Sequence, residues 1–462
     1  MTREAIFVLF QSNMSKNNKK EKPIPKPKGW ICNKYVESVF VDKVPAFLVK
    51  CKGIEGISVE HEIKCNGKTY RPLERHEFGY KPYNFTSEDI ERLNSETISN
   101  EKILENILKV VQHYVAALFR DQLLIAGEIL LTYCQEWIST VHFPFFVGET
   151  ESGKSTVLHL GGWLSYRCVI SEDWPNADVY NFLGTADEGG GTICEDESQE
   201  MERNREKIRT YKNSYSKGSV KPRVIMTNSG KYQVFYKTFC CKWFAGENVP
   251  HDKGFLERLV IVYMLGGKPK ANLKSASFRE QKFLKELRNK LLIWKLQNIG
   301  KDFPRIDTGL SGRNQELWQD FLSIFHGTRF EMQSKEVAEY YLKQRKESIK
   351  DSLEAKIFRS IKPLLDETLE IEAKIIWNKI VSSDELPGKL DEKTGNTFYL
   401  DEDDRKLTKN SLSDIIRFKF QAKRKRRYES KEGGKRRRIT SYIFDEEIVR
   451  FLSEKYHTED SL

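Results

Sequence analysis

Apolar positions along the chain repeat with two different periods, and the places where the period changes divide it into segments. Between residues 30 and 82 they alternate in short runs, as in F-V-D-K-V-P-A-F-L-V at 40–49, and turn signals such as C-N-G-K at 65–68 separate the runs. A period of two is that of a half-buried strand, so residues 30–85 are expected to form a small β-rich module. The period then lengthens. Thr86 and Ser87 before Glu88 and Asp89 make an N-cap arrangement, and Ile103, Leu104, Ile107, Leu108, Val111, Tyr114, Val115 and Leu118 return at helical spacing. A second apolar helix follows over 123–137, which makes 86–142 a helical region expected to serve packing.

P-F-F-V at 144–147 reads as a short buried strand, T-V-L-H-L-G-G-W-L at 156–164 as a helix, and the alternation continues to about residue 267. It predicts an α/β nucleotide-binding core. Amphipathic helices over 278–296 and 313–325 extend this core by a helical lid, giving a segment of 143–345. From 352 onward the pattern gives helices at 353–365, 371–381 and 411–420, a polar loop before the third, a basic segment, a strand at 441–444 and a helix at 446–456. Three helices followed by a β-wing predict a winged-helix DNA-binding domain over 352–462, with the third helix in a major groove and the turn at Gly433 and Gly434 as the wing. A helical protein-interaction domain carrying a basic loop is the alternative.

At 462 residues the chain is long enough for about three structural units, and 39% hydrophobic residues suffice for packed cores. No apolar run approaches the length of a membrane span. A-I-F-V-L-F at 5–10 is too short for a signal-peptide core and lacks a small-residue cleavage site, so an intracellular, cytoplasmic protein without a membrane partner is expected. Lys and Pro dominate residues 15–28, and 1–29 read as a disordered basic linker. The eight cysteines (Cys32, Cys51, Cys65, Cys134, Cys168, Cys194, Cys240 and Cys241) contain no C-x-x-C pair, so buried free thiols are expected and no zinc site. The net charge of +10 is uneven: between 421 and 440, Lys423, Arg424, Lys425, Arg426, Arg427, Lys431, Lys435, Arg436, Arg437 and Arg438 face only Glu429 and Glu432, a local excess of +8. Such an excess marks a nucleic-acid contact, or a solvated basic loop.

The chemistry centres on G-E-T-E-S-G-K-S at 148–155, which fits G-x-x-x-x-G-K-[ST] at every fixed position between a strand and a helix. A glycine-rich turn at a helix N-terminus aims backbone N–H groups and the positive end of the dipole at a polyphosphate. Gly148, Glu149, Thr150, Glu151, Ser152, Gly153, Lys154, Ser155 and Thr156 are therefore expected to hold ATP, with Lys154 on the β- and γ-phosphates and the Ser155 hydroxyl on Mg²⁺. G-G-T-I-C-E-D-E at 190–197 offers a strand ending in acids. Taking 192–195 as the strand makes Asp196 the metal holder and Glu197 the group that activates water; one residue earlier, the pair becomes Glu195 and Asp196. Downstream, 223–227 and 232–238 flank N-S-G-K at 228–231 as a β-hairpin. The strand C-K-W-F-A at 241–245 then delivers Asn248 toward the γ-phosphate as a sensor, which leaves Lys231 at the hairpin tip as a DNA contact. The competing assignment makes 224–226 the core strand and Asn228 the sensor. Arg258 stands just before a last core strand, where it can project into a neighbouring subunit's nucleotide, or simply pair with Glu257 at the surface.

This order of phosphate loop, acid-ended strand, hairpin, polar-ended strand, arginine, helical lid and winged helix resembles the AAA+ ATPases. Within them it is most similar to the helicase-like ATPases of plasmids, viruses and mobile elements related to superfamily-three and minichromosome-maintenance helicases, over about residues 87–456. The resemblance implies an AAA+ core and a homo-hexameric ring with ATP bound between subunits. It assigns Lys154, Glu197, Asn248 and Arg258 to catalysis and Ser155 and Asp196 to Mg²⁺. Lys231 is placed on a DNA strand in the channel, and Lys423, Arg424, Arg426, Arg436 and Arg437 on duplex. The implied function is an ATP-dependent DNA helicase or translocase of a replication system, in the cytoplasm, at the nucleoid or in the host cell of a virus or plasmid. The alternatives are an ATP-regulated initiator or remodelling ATPase without strand separation, a DNA-binding regulator, and a packaging or transposition ATPase. No paired catalytic aspartates precede the motor, so priming is not expected.

Overall fold

A computed structural model describes residues 22–456, apart from 173, 186–189, 197, 199–200, 202–203, 228–229, 251, 351, 401–405 and 431–435. The chain divides into two units, Met1–Glu339 and Tyr340–Leu462.

The first unit opens with short strands: β1 (Ile24–Pro25), β2 (Lys28–Ile31), β3 (Lys34–Val41), β4 (Val44–Cys51), β5 (Ser58–Glu60), β6 (Ile63–Cys65), β7 (Lys68–Arg71) and β8 (Asn84–Phe85). Strands β2 to β5 pair antiparallel in chain order with β8 alongside β3, while β1, β7 and β6 form a second sheet. The β6–β7 turn is Asn66-Gly67, both with positive φ (49° and 74°), the backbone that a two-residue hairpin needs. Ile31, Val36, Phe47, Val49 and Ile63 form one core here. Beside it Cys32 and Cys65 form a disulfide, with Cα atoms 6.4 Å apart. This corrects the expectation of free thiols throughout: a separation of 33 residues carries no local signal, and the bridge exists because β2 and β6 end close together. Cys134, Cys168, Cys194, Cys240 and Cys241 are buried thiols.

Helices follow: α1 (Ser87–Asn94), started by a reciprocal capping box between Thr86 and Asp89, α2 (Asn100–Tyr114) and α3 (Phe119–Tyr133). Then come β9 (Phe143–Val147), α4 (Lys154–Leu164), β10 (Cys168–Ser171), α5 (Asn176–Thr185), β11 (Thr192–Glu195), α6 (Arg205–Asn213), β12 (Val220–Thr227), β13 (Gly230–Lys237), β14 (Cys241–Gly246), α7 (Lys253–Leu256) and β15 (Leu259–Tyr263). Five of these strands make one parallel sheet in the order β10-β11-β14-β9-β15, and β12 with β13 stands apart as an antiparallel ribbon. Every residue of β9 and β14 is buried, as expected of inner parallel strands covered on both faces. Helices α8 (Phe278–Asn298), α9 (Gly312–Phe325) and α10 (Glu331–Lys350) come next. Among the described residues, no helix is long and apolar enough to cross a membrane.

A buried ionic seam joins the N-terminal strands to the parallel-sheet core. Glu37 of β3 accepts from Arg167 and Lys295, each at 2.7 Å, while Glu136 accepts from Lys28 at 2.6 Å and from the Tyr35 hydroxyl at 2.6 Å.

The second unit holds α11 (Leu353–Glu367), β16 (Glu370–Glu372), α12 (Ala373–Val381), β17 (Gly388–Leu390), β18 (Thr397–Leu400), β19 (Lys406–Thr408), α13 (Lys409–Asp414), β20 (Lys423–Ser430), β21 (Arg436–Ile443) and α14 (Glu446–Tyr456). Strands β16, β21 and β20 form one antiparallel sheet, in the order β16-β21-β20. Three expectations are corrected. The polar loop is a three-stranded antiparallel sheet, β17-β18-β19, pinned by Phe398 and Leu407, which are buried and directly paired. The third helix is broken into the six residues of α13 and a π turn at Ile415–Lys419. The basic segment is itself strand, because its partner β21 extends the expected 441–444 strand back to Arg436. The turn at Gly433 and Gly434 lies outside the described residues.

Candidate functional site

The phosphate-loop motif occupies the link between β9 and α4. Three backbone positions in it need unusual freedom or space. Glu151 and Gly153 have φ of 66° and 95°, and a Cβ on Gly148 would come 2.5 Å from the Met264 carbonyl oxygen. Helix α4 then lies close on the sheet, since a Cβ on Gly161 would meet the Trp243 ring at 2.8 Å and one on Gly162 the Ile170 side chain at 2.2 Å. The Lys154 ammonium folds back over the loop and donates to the carbonyls of Gly148 (2.5 Å) and Glu149 (2.7 Å). Glu149, Thr150 and Glu151 are exposed, and Ser155 and Thr156 are half-buried in the first turn of α4. The Ser152 hydroxyl is buried with no hydrogen-bond partner among the described residues. A close-fitting glycine, a buried hydroxyl without a partner among the described residues, a helix N-terminus and a lysine resting on two carbonyls suit a bound polyphosphate, so the residues present fit ATP.

Two of the other expected residues follow parallel strands that end on the loop's side of the sheet. Strand β14 sits between β11 and β9, with Phe244 opposite both Glu195 and Phe145. Its end touches the loop: the Gly148 N–H donates to the Gly246 carbonyl at 3.4 Å, and Thr150 reaches Glu247 at 3.4 Å. Asn248 follows, exposed, two residues beyond β14. Asp196 comes directly after β11, half-buried, its N–H donating to the Ser171 carbonyl at 3.0 Å. That puts it two strands, roughly 10 Å, across the sheet from the strand that bears the loop. Glu197 and Asn228 lie outside the described residues, and β12, which leads to Asn228, does not join the parallel sheet.

Glu195, the other member of the acid cluster, is fully engaged. Its two oxygens meet the Lys207 ammonium and, at 2.8 Å, the Tyr211 hydroxyl, both from α6, and the Glu195–Lys207 pair is almost wholly buried. Glu206, next to Lys207 on α6, pairs with Lys221 of β12 at 3.1 Å and accepts from the Tyr180 hydroxyl of α5 at 3.0 Å. Arg223 of β12 stacks on the Tyr180 ring, 4.5 Å from its centroid. Sequence reasoning missed this α6 contact set, as it missed Glu247. Its one local trace is Lys207 and Tyr211 at helical spacing, four residues apart on one face.

Within the first unit, Arg258 and Lys231 are not brought to the loop. Arg258 sits at the opposite end of the sheet, since its carbonyl accepts from the Phe143 N–H at the start of β9, while the loop follows the end of that strand. Its guanidinium donates to the Gly254 carbonyl and stacks on Tyr215 at 4.6 Å, with Arg313 on the same ring at 4.7 Å. Burial, with Arg313 beside it, holds Arg258 below the ordinary guanidinium value. Lys231 is exposed on β13 opposite Met226, one pair from the hairpin turn. In the second unit Lys423, Arg424 and Arg426 are exposed on β20, and Arg436 and Arg437 lie on β21.

No family model matches the chain, and neither does any curated protein. Among solved structures, the A form apo structure of the NrS-1 C terminal region is 13% identical, with 89% of this chain and 96% of that chain covered at a TM-score of 0.30. An apo structure of the NrS-1 C terminal region (305-718) is 12% identical at a TM-score of 0.32, covering 89% and 96%. The JCV helicase is 14% identical over 54% of this chain and 70% of its own, at a TM-score of 0.26. Likeness at such scores carries no argument, and the site stands on its own geometry.

Proposed function

We propose that this chain is an AAA+ type ATPase that acts on DNA in replication as a helicase or translocase, working as a homo-hexameric ring with a winged-helix domain at its C-terminal end. The observation that carries the reading is the phosphate loop between β9 and α4, with its orphaned Ser152 hydroxyl and the end of β14 against it.

In this reading Lys154 exchanges the carbonyls of Gly148 and Glu149 for the β- and γ-phosphate oxygens of ATP, while the loop N–H groups and the α4 N-terminus hold the rest of the chain of phosphates. Ser155 and Asp196 are the residues that would hold Mg²⁺, which would supply charge that neutralises the phosphates. Glu197 takes the proton of the attacking water as its oxygen bonds to the γ-phosphorus and the bond to the β-phosphate oxygen breaks. Asn248 orients that water. Arg258, at the far end of the sheet, leaves its Tyr215 stack to stabilise transition-state charge in a neighbouring copy. Lys231 contacts a strand in the channel, and Lys423, Arg424, Arg426, Arg436 and Arg437 contact duplex phosphates.

The test is ATP turnover with no DNA, with single strands and with duplex, alongside strand displacement on a fork and the mass of the assembly. DNA-stimulated turnover with displacement is the expected result. Stimulated turnover without displacement would leave the initiator or remodelling ATPase in its place, and absence of turnover would remove the enzyme.

A further inference from the structure

The β20–β21 ribbon has two chemically different faces. In its antiparallel register Lys423, Lys425, Arg427 and Glu429 share one side, and Arg424, Arg426 and Tyr428 share the other with their partners Tyr442, Thr440 and Arg438. The first side is largely neutralised: Lys425 pairs with Glu370 at 2.9 Å, and Arg427 with Glu372 at 3.0 Å and Glu429 at 3.5 Å, which leaves Lys423 exposed opposite Ile443. The second side carries Arg424, Arg426 and Arg438 around Tyr428, itself 67% exposed, with no acid among its described residues. At its inner end this same side buries Tyr442, opposite Ile371, in the core of the unit. Its arginines therefore continue the side on which the helices pack, outward past their edge.

The helix expected to read DNA is poorly equipped by comparison. Six residues of α13 span about 9 Å before the π turn interrupts them. Two of its three cations are tied to the chain: Lys409 donates to Asn396 at 3.0 Å and Arg417 lies 3.8 Å from Asp414, while Lys419 is exposed at the end of the π turn.

We infer that the acid-free face of the ribbon, Arg424, Arg426, Arg438 and Tyr428, is the surface that grips duplex nucleic acid, in place of the interrupted helix. The inference rests on the DNA-binding reading of this unit. Duplex is the partner because a two-stranded ribbon fits a major groove, with arginines on alternate residues about 7 Å apart meeting its phosphates. Single-strand sites instead line a groove with several aromatic rings, and among its described residues this face exposes only Tyr428, Tyr442 being buried.

The experiment uses the full chain and a fluorescent duplex of mixed sequence, with the matching single strand, titrated between about 50 and 200 mM potassium chloride. Combined Arg424→Gln, Arg426→Gln and Arg438→Gln should lower the slope of log affinity against log salt by about 2 to 3, at about 0.9 for each phosphate no longer neutralised. Lys425→Gln with Arg427→Gln should move it by less than the amount due to a single phosphate. These side chains are all exposed, and unchanged thermal melting of each variant confirms an intact fold. Equal reductions in the two variants, or a reduction only on replacing Lys409, Arg417 and Lys419, would overturn the ribbon face and leave DNA binding standing. Selective loss of single-strand binding in the triple variant would overturn duplex as the partner. A wild-type chain that binds no duplex would remove the DNA-binding reading itself.

Discussion

The Lys154 ammonium lies over the phosphate loop on the carbonyls of Gly148 and Glu149, so Lys154→Ala should abolish ATP turnover in a steady-state phosphate-release assay. Gly148→Ala should weaken nucleotide binding through geometry, because its Cβ would press on the Met264 carbonyl; loss of tight ATP binding by calorimetry checks this. The neighbouring acids should separate by phenotype. Glu195→Gln breaks the buried ion pair with Lys207 and should cost about 3 to 5 kcal/mol in chemical denaturation. Glu197→Gln should fold normally and trap bound ATP unhydrolysed; if it turns over at the wild-type rate while a folded Glu195→Gln is inactive, the acid pair begins one residue earlier. The loop was legible in the sequence because its chemistry is written in eight consecutive residues. Lys207 against Glu195 was not: the two are twelve residues apart, and only the packing of α6 under β11 brings their charges together.

Helix α6 touches two separate elements, with Lys207 and Tyr211 on the end of β11 and Glu206 on the hairpin strand β12. Glu206→Gln with Lys221→Ala should speed hydrogen exchange along β12 and β13, while global stability falls by no more than about 1 kcal/mol, because the pair is partly exposed. The N-terminal strands are fastened differently, by the seam around Glu37 and Glu136. Burial alone would raise the Glu37 carboxyl, but Arg167, Lys295 and Lys28 outweigh it and leave it below the ordinary 4.5; Glu136 is lowered by Lys28 and Lys295 against the same burial. Depressed carboxylates give stability that is present above the unfolded value and lost as pH falls below it, so melting temperature should drop as pH falls from 4.5. Lys28, pushed down to about 8 by burial, gives the same direction in a different window: stability rises again as pH climbs from about 8 toward 10.5, where the unfolded chain holds a proton that the folded one has lost. Capping at Thr86 and the hairpin turn at Asn66-Gly67 could be read locally. The seam joins β3 to α8 across 258 residues, and the π turn breaks a helix whose apolar spacing looks continuous, so neither has a local signature.

At the scale of the whole chain, removing everything from Ser352 onward should preserve basal ATP hydrolysis while weakening duplex binding, as measured by anisotropy. Arg258→Ala should leave ATP binding by single copies near normal and sharply lower turnover in the assembly. Mixing Arg258→Ala with Lys154→Ala chains should restore part of that turnover, and no recovery in assemblies shown to be mixed would place the arginine outside the reaction. The phosphate loop follows the end of β9, while Arg258 borders its beginning. If each complete site takes its loop from one chain and its arginine from the next, a closed circle has as many complete sites as chains, whereas an open arc always has one fewer. Specific activity would then report closure: in short arcs it rises with each chain added, and it steps up once more when the two ends meet.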